Sequence, residues 1–531
     1  MKHSNLPQRY FFILKVVFSK VEEVFKQTKI IIFIGLLVLI GVLVAPSKQK
    51  WSVVPAFGGT YTEGVTGEIN HLFPLLKQTE AEKDAAKLIF SSLIKYNGQR
   101  QVVGDLAERW EISPDGKEYI FYLKKAQWHD GQPVTADDVV FTFTLLQNPE
   151  LQSPFEESFR GIEVARKDPQ TVLFKLKQPF APFLFSLTVP IVPKHLLGSL
   201  SPSQIVVSQF LQKPVGSGPF QFKGMKKDKS LTTVTLLYNK NYYAQRPYIK
   251  KFVFQVYQDP NDLKKAYQKR KILSMLSETK SSGPAVRLLL PQYKAVFVNL
   301  CSGNLDLFLR KALFWAVDKN EIASALPDQE VYLITSPLFE QSNNTNSFDL
   351  QKAQSFLSRS HSSKEITLLS SPFPENIKIA EVLKRDWERL GVKTQLITLA
   401  NSELEKRVNN REYDLFLTGV NQKGDEDLYP FWHSSQAAAS GLNFSCLKNP
   451  EVDSLLEESR QISNGTERDK RYQKVAQVIQ DEAAAFFLYQ PVYYYQTYDI
   501  VKGKQETKGV TKADRFWNVN EWYLKIKKVK K

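Results

Sequence analysis

One loop of the sequence combines acidic and aromatic side chains in a way that suits a small ligand carrying a positive charge. Residues 421–432 (NQKGDEDLYPFW) contain Asp425, Asp427, Tyr429 and Trp432. A ligand ammonium that leaves water for a closed cleft needs a carboxylate partner, and a charge-assisted hydrogen bond provides it. Because acidic residues in polar loops are usually only solvated, the position of this loop in the fold decides between the two interpretations.

The segment before this loop, residues 365–420, predicts a β-α-β-α-β unit. EITLLSS, KTQLITL and YDLFLTGV are strand-like, and Ala380, Leu383 and Trp387 recur at helical spacing between the first two strands. Such units form parallel sheets, and ligands bind beyond the carboxyl ends of the strands. We therefore predict that the loop, together with Gly419 at the end of the last strand, lies at a ligand site.

The sequence lacks the local motifs of common enzyme classes. It contains no Gly-x-Ser-x-Gly, no His-Glu-x-x-His and no phosphate-binding loop with Lys-Ser/Thr, and its six histidines are scattered. His129-Asp130 before Gly131 and the glycine-rich residues 214–222 are typical of structural turns. We therefore expect a binding protein that is not an enzyme and has no metal or cofactor. An extracellular hydrolase that uses Ser217 or His129 is kept as an alternative.

Basic residues are concentrated at the two ends of the chain. Of the net charge of +16, residues 1–50 contribute +6 and the final KIKKVKK contributes +5. The remainder is only mildly basic and contains no recognisable nucleic-acid-binding module, so nucleic acid is not expected as a partner. The basic ends suit an anionic membrane or cell-wall surface.

The two cysteines, Cys301 and Cys446, do not form a zinc-binding motif. An exported chain could join them in a disulfide. Because they lie far apart in the sequence, however, two free thiols are the favoured expectation.

Residues 30–46 form an uncharged apolar run of 17 residues, which would extend about 25 Å as a helix. The basic, amphipathic residues 1–29 would stay in the cytoplasm by the positive-inside rule. The sequence therefore predicts a single transmembrane anchor, a tether over residues 47–57 and an extracellular or periplasmic remainder. A cleaved signal peptide is the alternative.

Six segments resemble, in order, those of one known family. They are LAERWEISPDGKEYIFYLKKAQWHDGQPVTADDVVFT (106–142), PVGSGPFQF (214–222), KNYYAQRPYIKKFVF (240–254), LRKALFWAVDKNEI (309–322), FDLQKAQSFL (348–357) and NPEVDSLLEESR (449–460). Over about residues 58–525 the chain resembles the extracellular solute-binding proteins of family 5, the dipeptide- and oligopeptide-binding type that serves ABC importers. In the first segment, Pro-Asp-Gly predicts a hairpin, and Thr135 with Asp138 predicts a helix start.

The resemblance implies an α/β fold of the type II periplasmic-binding-protein-like kind. Two lobes are joined by a hinge, lobe I carries an extra subdomain, and the transmembrane helix precedes both. The implied divisions are lobe I over 58–290 with the subdomain at about 77–195, lobe II over 291–488, a return to lobe I with a basic tail over 489–531, and hinge crossings at 291–299 and 486–496.

The resemblance also implies a function and a site. The chain would be a monomeric, membrane-anchored protein that captures peptides, or a similar small solute, and delivers them to ABC transporter permease subunits. A sensory receptor or surface scaffold of the same fold is the alternative. In peptide-binding relatives an Asp of the loop holds the peptide ammonium, a role that Asp425 or Asp427 would take. Segments that align with cleft-facing parts of lobe I contribute Glu63, Gly64, Asn70 and Thr79.

Two departures from the family pattern affect the expected cleft. The family commonly ends the last strand in Gly-Trp, whereas this chain has Gly419-Val420, which removes an aromatic wall. Residues 268–276 (QKRKILSML) replace a Gly-x-Ile-Asp turn near the cleft mouth. Ligand preference therefore need not follow that of the relatives.

Overall fold

The computed structural model describes residues 7–44, 51–279, 283–339, 348–422, 424, 427–462 and 465–530. The chain divides into two compact units. Met1–Pro55 with Ile526–Lys531 form the first, and Ala56–Lys525 form the second.

The strands are β1 (Trp51–Ala56), β2 (Thr60–Thr66), β3 (Ile94–Tyr96), β4 (Val102–Gly104), β5 (Ala107–Ile112), β6 (Glu118–Leu123), β7 (Glu163–Asp168), β8 (Thr171–Lys175), β9 (Phe220–Lys227), β10 (Leu231–Tyr238), β11 (Lys251–Tyr257), β12 (Ser274–Ser277), β13 (Ala285–Leu289), β14 (Gln292–Val298), β15 (Val331–Leu333), β16 (Glu365–Ser370), β17 (Lys393–Thr398), β18 (Leu415–Asn421), β19 (Ala485–Thr497), β20 (Thr507–Lys508) and β21 (Lys525–Lys530). The α-helices are α1 (Pro7–Val44), α2 (Glu80–Ile89), α3 (Ala136–Leu146), α4 (Glu156–Phe159), α5 (Phe183–Ser186), α6 (Lys194–Leu197), α7 (Pro202–Ile205), α8 (Pro260–Gln268), α9 (Leu307–Ala316), α10 (Lys319–Ser324), α11 (Leu350–Leu357), α12 (Pro374–Arg389), α13 (Asn401–Asn409), α14 (Tyr429–Trp432), α15 (Pro450–Gln461) and α16 (Gly465–Asp481).

The first unit contains the long helix α1 and most of the two-stranded sheet of β1 and β21. Large apolar side chains of α1 between Phe11 and Ile40 are exposed. Among the described residues, no helix combines the length and apolar character needed to cross a bilayer. The predicted transmembrane anchor over residues 30–46 is therefore not confirmed. Residues 51–56, predicted as part of a tether, instead form β1, because their adjacent valines favour extended backbone.

The second unit has two lobes that share one extended sheet. Lobe I carries the strand order β12-β2-β11-β10-β9, and lobe II carries β17-β16-β18-β14-β19. β19 belongs to both, because its first half pairs with β14 and its second half pairs with β12 and β13. The chain makes its other crossing at residues 290–291, between β13 and β14. The predicted two-lobed α/β fold is therefore present, and β14 and β19 overlap the predicted hinge segments.

The predicted β-α-β-α-β unit of lobe II is formed by β16, α12, β17, α13 and β18. β16 lies between β17 and β18 and is parallel to both. Trp387 of α12 is fully buried, and its indole N–H donates to the Leu313 carbonyl at 3.1 Å. The helical spacing of apolar residues therefore identified the face of α12 that packs on the sheet.

The extra subdomain of lobe I contains a four-stranded sheet in the order β5-β6-β8-β7, covered by α3. β5 and β6 form the predicted hairpin, and Gly116 in its turn has a φ of 68°, which glycine adopts at low cost. Thr135 and Asp138 form the predicted capping box at the start of α3. These turns therefore have structural roles.

The His129 ring connects the subdomain to the glycine-rich loop at residues 214–222 by hydrogen bonds. Its ring accepts the Gly216 N–H at 3.2 Å and donates to the Gly218 carbonyl at 3.0 Å. Glycine is required there by close contact, since a Cβ on Gly216 would lie 1.9 Å from the Ile89 carbonyl oxygen. The loop is thus a packing element, as the sequence indicated.

Cys301 and Cys446 form a disulfide with Cα atoms 5.5 Å apart, so the expectation of two free thiols is wrong. The separation of the two cysteines along the sequence did not predict whether they pair, because the tertiary structure brings their segments into contact. Next to the bond, the Leu300 N–H donates to the Ser445 carbonyl at 3.0 Å. The disulfide therefore links two segments of lobe II that are already paired by backbone contact.

Candidate functional site

Lobe I contains a cavity of about 990 Å³ beyond the carboxyl end of its parallel strands. β2 runs parallel to both β11 and β12, and residues 64–67 at its end line the cavity. Two helices begin at the cavity: Thr79 is the N-cap of α2, and Pro260 is the first residue of α8. A volume of this size lies within the range of sites that enclose small molecules.

One wall of the cavity is apolar and aromatic. The rings of Tyr267 and Tyr498 stack with centroids 4.8 Å apart and an interplanar angle of 16°. Leu263, Met275 and Tyr493 continue this wall. Burial raises the pKa of Tyr267 and of Tyr493 to about 12, so both phenols stay neutral near pH 7. Such a wall can bury side chains of different shapes against ring faces.

The floor of the cavity is a buried ion cluster around Arg515. Its Nη1 and Nη2 atoms donate to the two oxygens of Asp84 at 2.7 and 2.6 Å. Its Nε and Nη2 atoms also donate to Oε1 of Glu63 at 3.1 and 3.0 Å. Burial raises the pKa of Asp84 to about 6, although the Arg515 charge opposes this shift. Because every charge has a partner, the cluster forms a fixed floor.

A hydrogen-bond network links this floor to β19. The hydroxyls of Tyr61 and Tyr495 donate to Oε2 of Glu63 at 2.7 and 2.6 Å. The ammonium of Lys504 donates to the Tyr61 oxygen at 2.7 Å and lies 3.5 Å from the Tyr495 ring centroid. Burial lowers the pKa of Lys504 well below its ordinary value. Since Tyr495 belongs to β19, the network connects the cavity to a strand shared by both lobes.

Ionisable side chains of both signs also line the cavity. Lys264 and Lys512 are basic, and Glu80 and Glu278 are acidic. A ligand that carries both an ammonium and a carboxylate can therefore find an opposite charge for each group. Together with the aromatic wall, this arrangement suits a zwitterionic ligand with apolar parts.

The loop favoured by the sequence lies in lobe II, and its described part is already engaged. Oδ2 of Asp427 accepts hydrogen bonds from Nε and Nη2 of Arg460 at 3.0 and 2.7 Å. Its Oδ1 accepts a hydrogen bond from the Tyr429 N–H at 3.1 Å. The Arg460 guanidinium lies 3.6 Å from the Tyr429 ring centroid. Asp425 lies outside the described residues. The role of Asp425 or Asp427 as ammonium partner stays a prediction.

Trp432, at the end of this loop, has a packing role. Trp432 is fully buried, with its ring 5.8 Å from that of Phe297 in the core of lobe II. Gly419 lies in β18 opposite Lys294 of β14, on an exposed part of the strand. In this conformation Trp432 offers a ligand no surface, whereas Gly419 does.

The four predicted residues of lobe I separate into two pairs. Gly64 and Thr79 line the cavity. Glu63 is the buried acceptor of Arg515, and the Asn70 N–H donates to Oε1 of Glu82 at 2.6 Å at the start of α2. Two of these four residues therefore lie at the cavity, and a ligand role for any of the four stays a prediction.

Sequence reasoning missed most of the cavity lining. Tyr267, Met275, Tyr498, Lys512 and Arg515 come from distant segments that are joined when β12 pairs with β19. The one signal that could have led to them is the departure at residues 268–276, which includes Met275.

Comparisons with known proteins agree with the fold. The family described as bacterial extracellular solute-binding proteins, family 5 Middle, matches residues 101–440. The oligopeptide-binding protein AppA of Bacillus subtilis is 26% identical over 520 residues, covering 90% of this chain and 94% of AppA. The dipeptide-binding protein of Escherichia coli is 26% identical over 501 residues, covering 85% of this chain and 91% of that protein.

Two solved structures are also similar to this chain. AppA of Bacillus subtilis in complex with a nonapeptide is 25% identical with a TM-score of 0.67, and the match covers 89% of this chain and all of AppA (100%). NikZ of Campylobacter jejuni in complex with Ni(L-His) is 25% identical with a TM-score of 0.70, and the match covers 87% and 99%.

The two-lobed fold together with these relatives identifies a solute-binding protein of the ABC importer type, a class whose members bind solutes and are not enzymes. More narrowly, the chain belongs to family 5 of the bacterial extracellular solute-binding proteins.

Proposed function

We propose that this protein captures short peptides in the cavity of lobe I. The observation that carries the proposal is the combination of the stacked pair Tyr267 and Tyr498 with charges of both signs around about 990 Å³. Rings bury side chains of varied shape, while Lys512 and Glu278 suit the two charged ends of a peptide. The relatives named as oligopeptide- and dipeptide-binding proteins support the same class of ligand.

Calorimetry with the full chain and a panel of short peptides tests this proposal. Thr66→Trp fills the cavity from the end of β2, so it should weaken peptide binding at least roughly tenfold. Thr60→Trp, at the exposed opposite end of the same strand, is the matched control and should bind as the parent does. If no peptide binds while Ni(L-His) or another small solute does, the peptide assignment fails and the solute-binding class remains.

We further propose that the captured ligand is handed to the permease subunits of an ABC transporter. The family and the named relatives support this role. Photo-crosslinking in the producing cell, from exposed Lys177 in lobe I and exposed Lys406 in lobe II, should recover permease subunits. Recovery of a signalling protein instead would favour the receptor alternative.

We also propose that α1 attaches the protein to a membrane. Support comes from its exposed apolar side chains, such as Phe18, Ile32 and Phe33, which would otherwise remain in water. Cell fractionation should find the full chain with membranes and released by detergent but not by salt. A variant without residues 1–50 should be soluble. A full chain that stays soluble would refute this attachment.

A further inference from the structure

Arg460 connects the two lobes on the side of the molecule that carries the extra subdomain. It lies in the last turn of α15, in lobe II. Its backbone carbonyl accepts the N–H of Ala181 in lobe I at 2.7 Å. Its guanidinium lies 5.5 Å from the ring centroid of Phe180, also in lobe I. The contact therefore joins a helix end to a two-residue segment of the opposite lobe.

The guanidinium is held in place from within lobe II. Two of its nitrogens donate to Oδ2 of Asp427, and its face lies over Tyr429. The Asp427 side chain is 9% exposed and that of Arg460 is 26% exposed, so the carboxylate is largely removed from water while the guanidinium is partly accessible. A guanidinium fixed by a carboxylate and a ring loses little further freedom when it meets a second ring. Arg460 is thus preorganised to contact Phe180.

A second contact lies on the same side. Arg468 of α16 lies 5.7 Å from the ring centroid of Phe185 in α5. Both contacts place an arginine of a lobe II helix over a phenylalanine of the lobe I segment at residues 180–186. An opening motion about residues 290–291 and β19 that separates the lobes on this side must break both contacts.

We propose that the contact around Arg460 holds the lobes closed. We call this contact the clasp, and it consists of Arg460, Asp427 and Tyr429 on lobe II and of Phe180 and Ala181 on lobe I. The clasp contains only groups of the chain itself, so it acts without a ligand. When the lobes are already partly closed, ligand binding requires a smaller free energy of conformational change. The fraction of open molecules then determines how fast the ligand enters. The inference rests on the two-lobed fold and not on the identity of the ligand.

Distance measurement between two spin labels tests the clasp. Labels on Lys177→Cys and Glu451→Cys place one exposed probe on each lobe. The sole native cysteines are already joined in a disulfide, so labelling is selective. Phe180→Ala removes the ring and leaves the Asp427 pair intact. Arg460→Gln removes the guanidinium.

Without added ligand, both variants should gain a population at longer distance, with a roughly five- to tenfold rise in the ratio of open to closed molecules. Arg471→Gln is the matched control, because Arg471 pairs with Glu458 at 3.0 Å within lobe II; it should keep the parental distribution. Thermal unfolding of each variant shows whether it is folded. Parental distributions in both Phe180→Ala and Arg460→Gln would overturn the proposal, whatever ligand the protein binds.

Discussion

Whether a charged residue of this protein is available to a ligand depends on its hydrogen-bond partners within the protein and not on its residue type alone. Asp84, Glu63 and Arg515 line or underlie the cavity, yet they are hydrogen-bonded to one another in its floor. Asp427, one of the two aspartates that the resemblance offers as partner of a ligand ammonium, pairs with Arg460. No local sequence pattern reveals such pairs, because the partners lie 452 and 33 residues apart.

Replacing each candidate aspartate by asparagine determines which of them, if either, binds a ligand ammonium. The variant at the true site should lose about 2 kcal/mol or more of affinity for a free-amine peptide, which is roughly thirtyfold. Affinity for the same peptide with an acetylated N-terminus should not change. Calorimetry on Asp425→Asn and Asp427→Asn provides both values, with exposed Asp469→Asn as control. Equal losses for both peptides would point to a structural effect alone.

The buried ring of His129 should make stability depend on pH. Burial lowers the pKa of His129 from 6.5 to about 4. The unfolded chain therefore binds a proton first as pH falls, so stability present above pH 6.5 is lost progressively down to about pH 4. The loss amounts to about 3 kcal/mol.

Urea unfolding at pH 7 and pH 4.5 measures this dependence. His129→Asn should show a smaller pH dependence than the parent, because the titrating group is gone. His361→Asn, at an exposed position, should behave as the parent does. A His129→Asn curve parallel to the parental one between these pH values would contradict the assignment.

At the scale of elements, sequence reasoning succeeded where the pattern is local. The hairpin at Gly116, the capping box of Thr135 and the β-α-β-α-β unit all follow from spacing and turn chemistry. It failed where strands meet across long separations. The disulfide and the cavity lining depend on pairing that brings distant segments together, and loop closure over such lengths leaves no periodic signal.

The Cys301–Cys446 disulfide should contribute measurably to the stability of lobe II. It joins residues separated by 145 positions, so it restricts the unfolded chain strongly. Replacing both cysteines by serine should lower the free energy of unfolding by about 2–5 kcal/mol. Chemical unfolding with and without a reductant checks this value. The double variant should be insensitive to reductant, and an equal reductant effect in parent and variant would disprove the contribution.

At the scale of the whole second unit, the two lobes are separate cores joined by two crossings and the clasp. Among the described residues, the buried core of lobe I has no member in common with the two large buried clusters of lobe II, so we expect relative motion of the lobes to leave both interiors intact. The resemblance predicted this two-lobed plan. It did not predict that the described cavity lining would come from lobe I and β19, because that depends on how distant segments of this chain pack together.

A covalent lock across the clasp should trap the closed form. The Ala181 N–H and the Arg460 carbonyl are hydrogen-bonded at 2.7 Å, so the two backbones are adjacent, as a disulfide requires. We expect the oxidised Ala181→Cys/Arg460→Cys variant to bind added peptide far more slowly than its reduced form, since entry requires the lobes to separate. Stopped-flow binding before and after mild reduction measures this, with the parental protein treated identically as control. Equally fast binding by the locked and reduced forms would mean that the cavity is reached without any opening at the clasp.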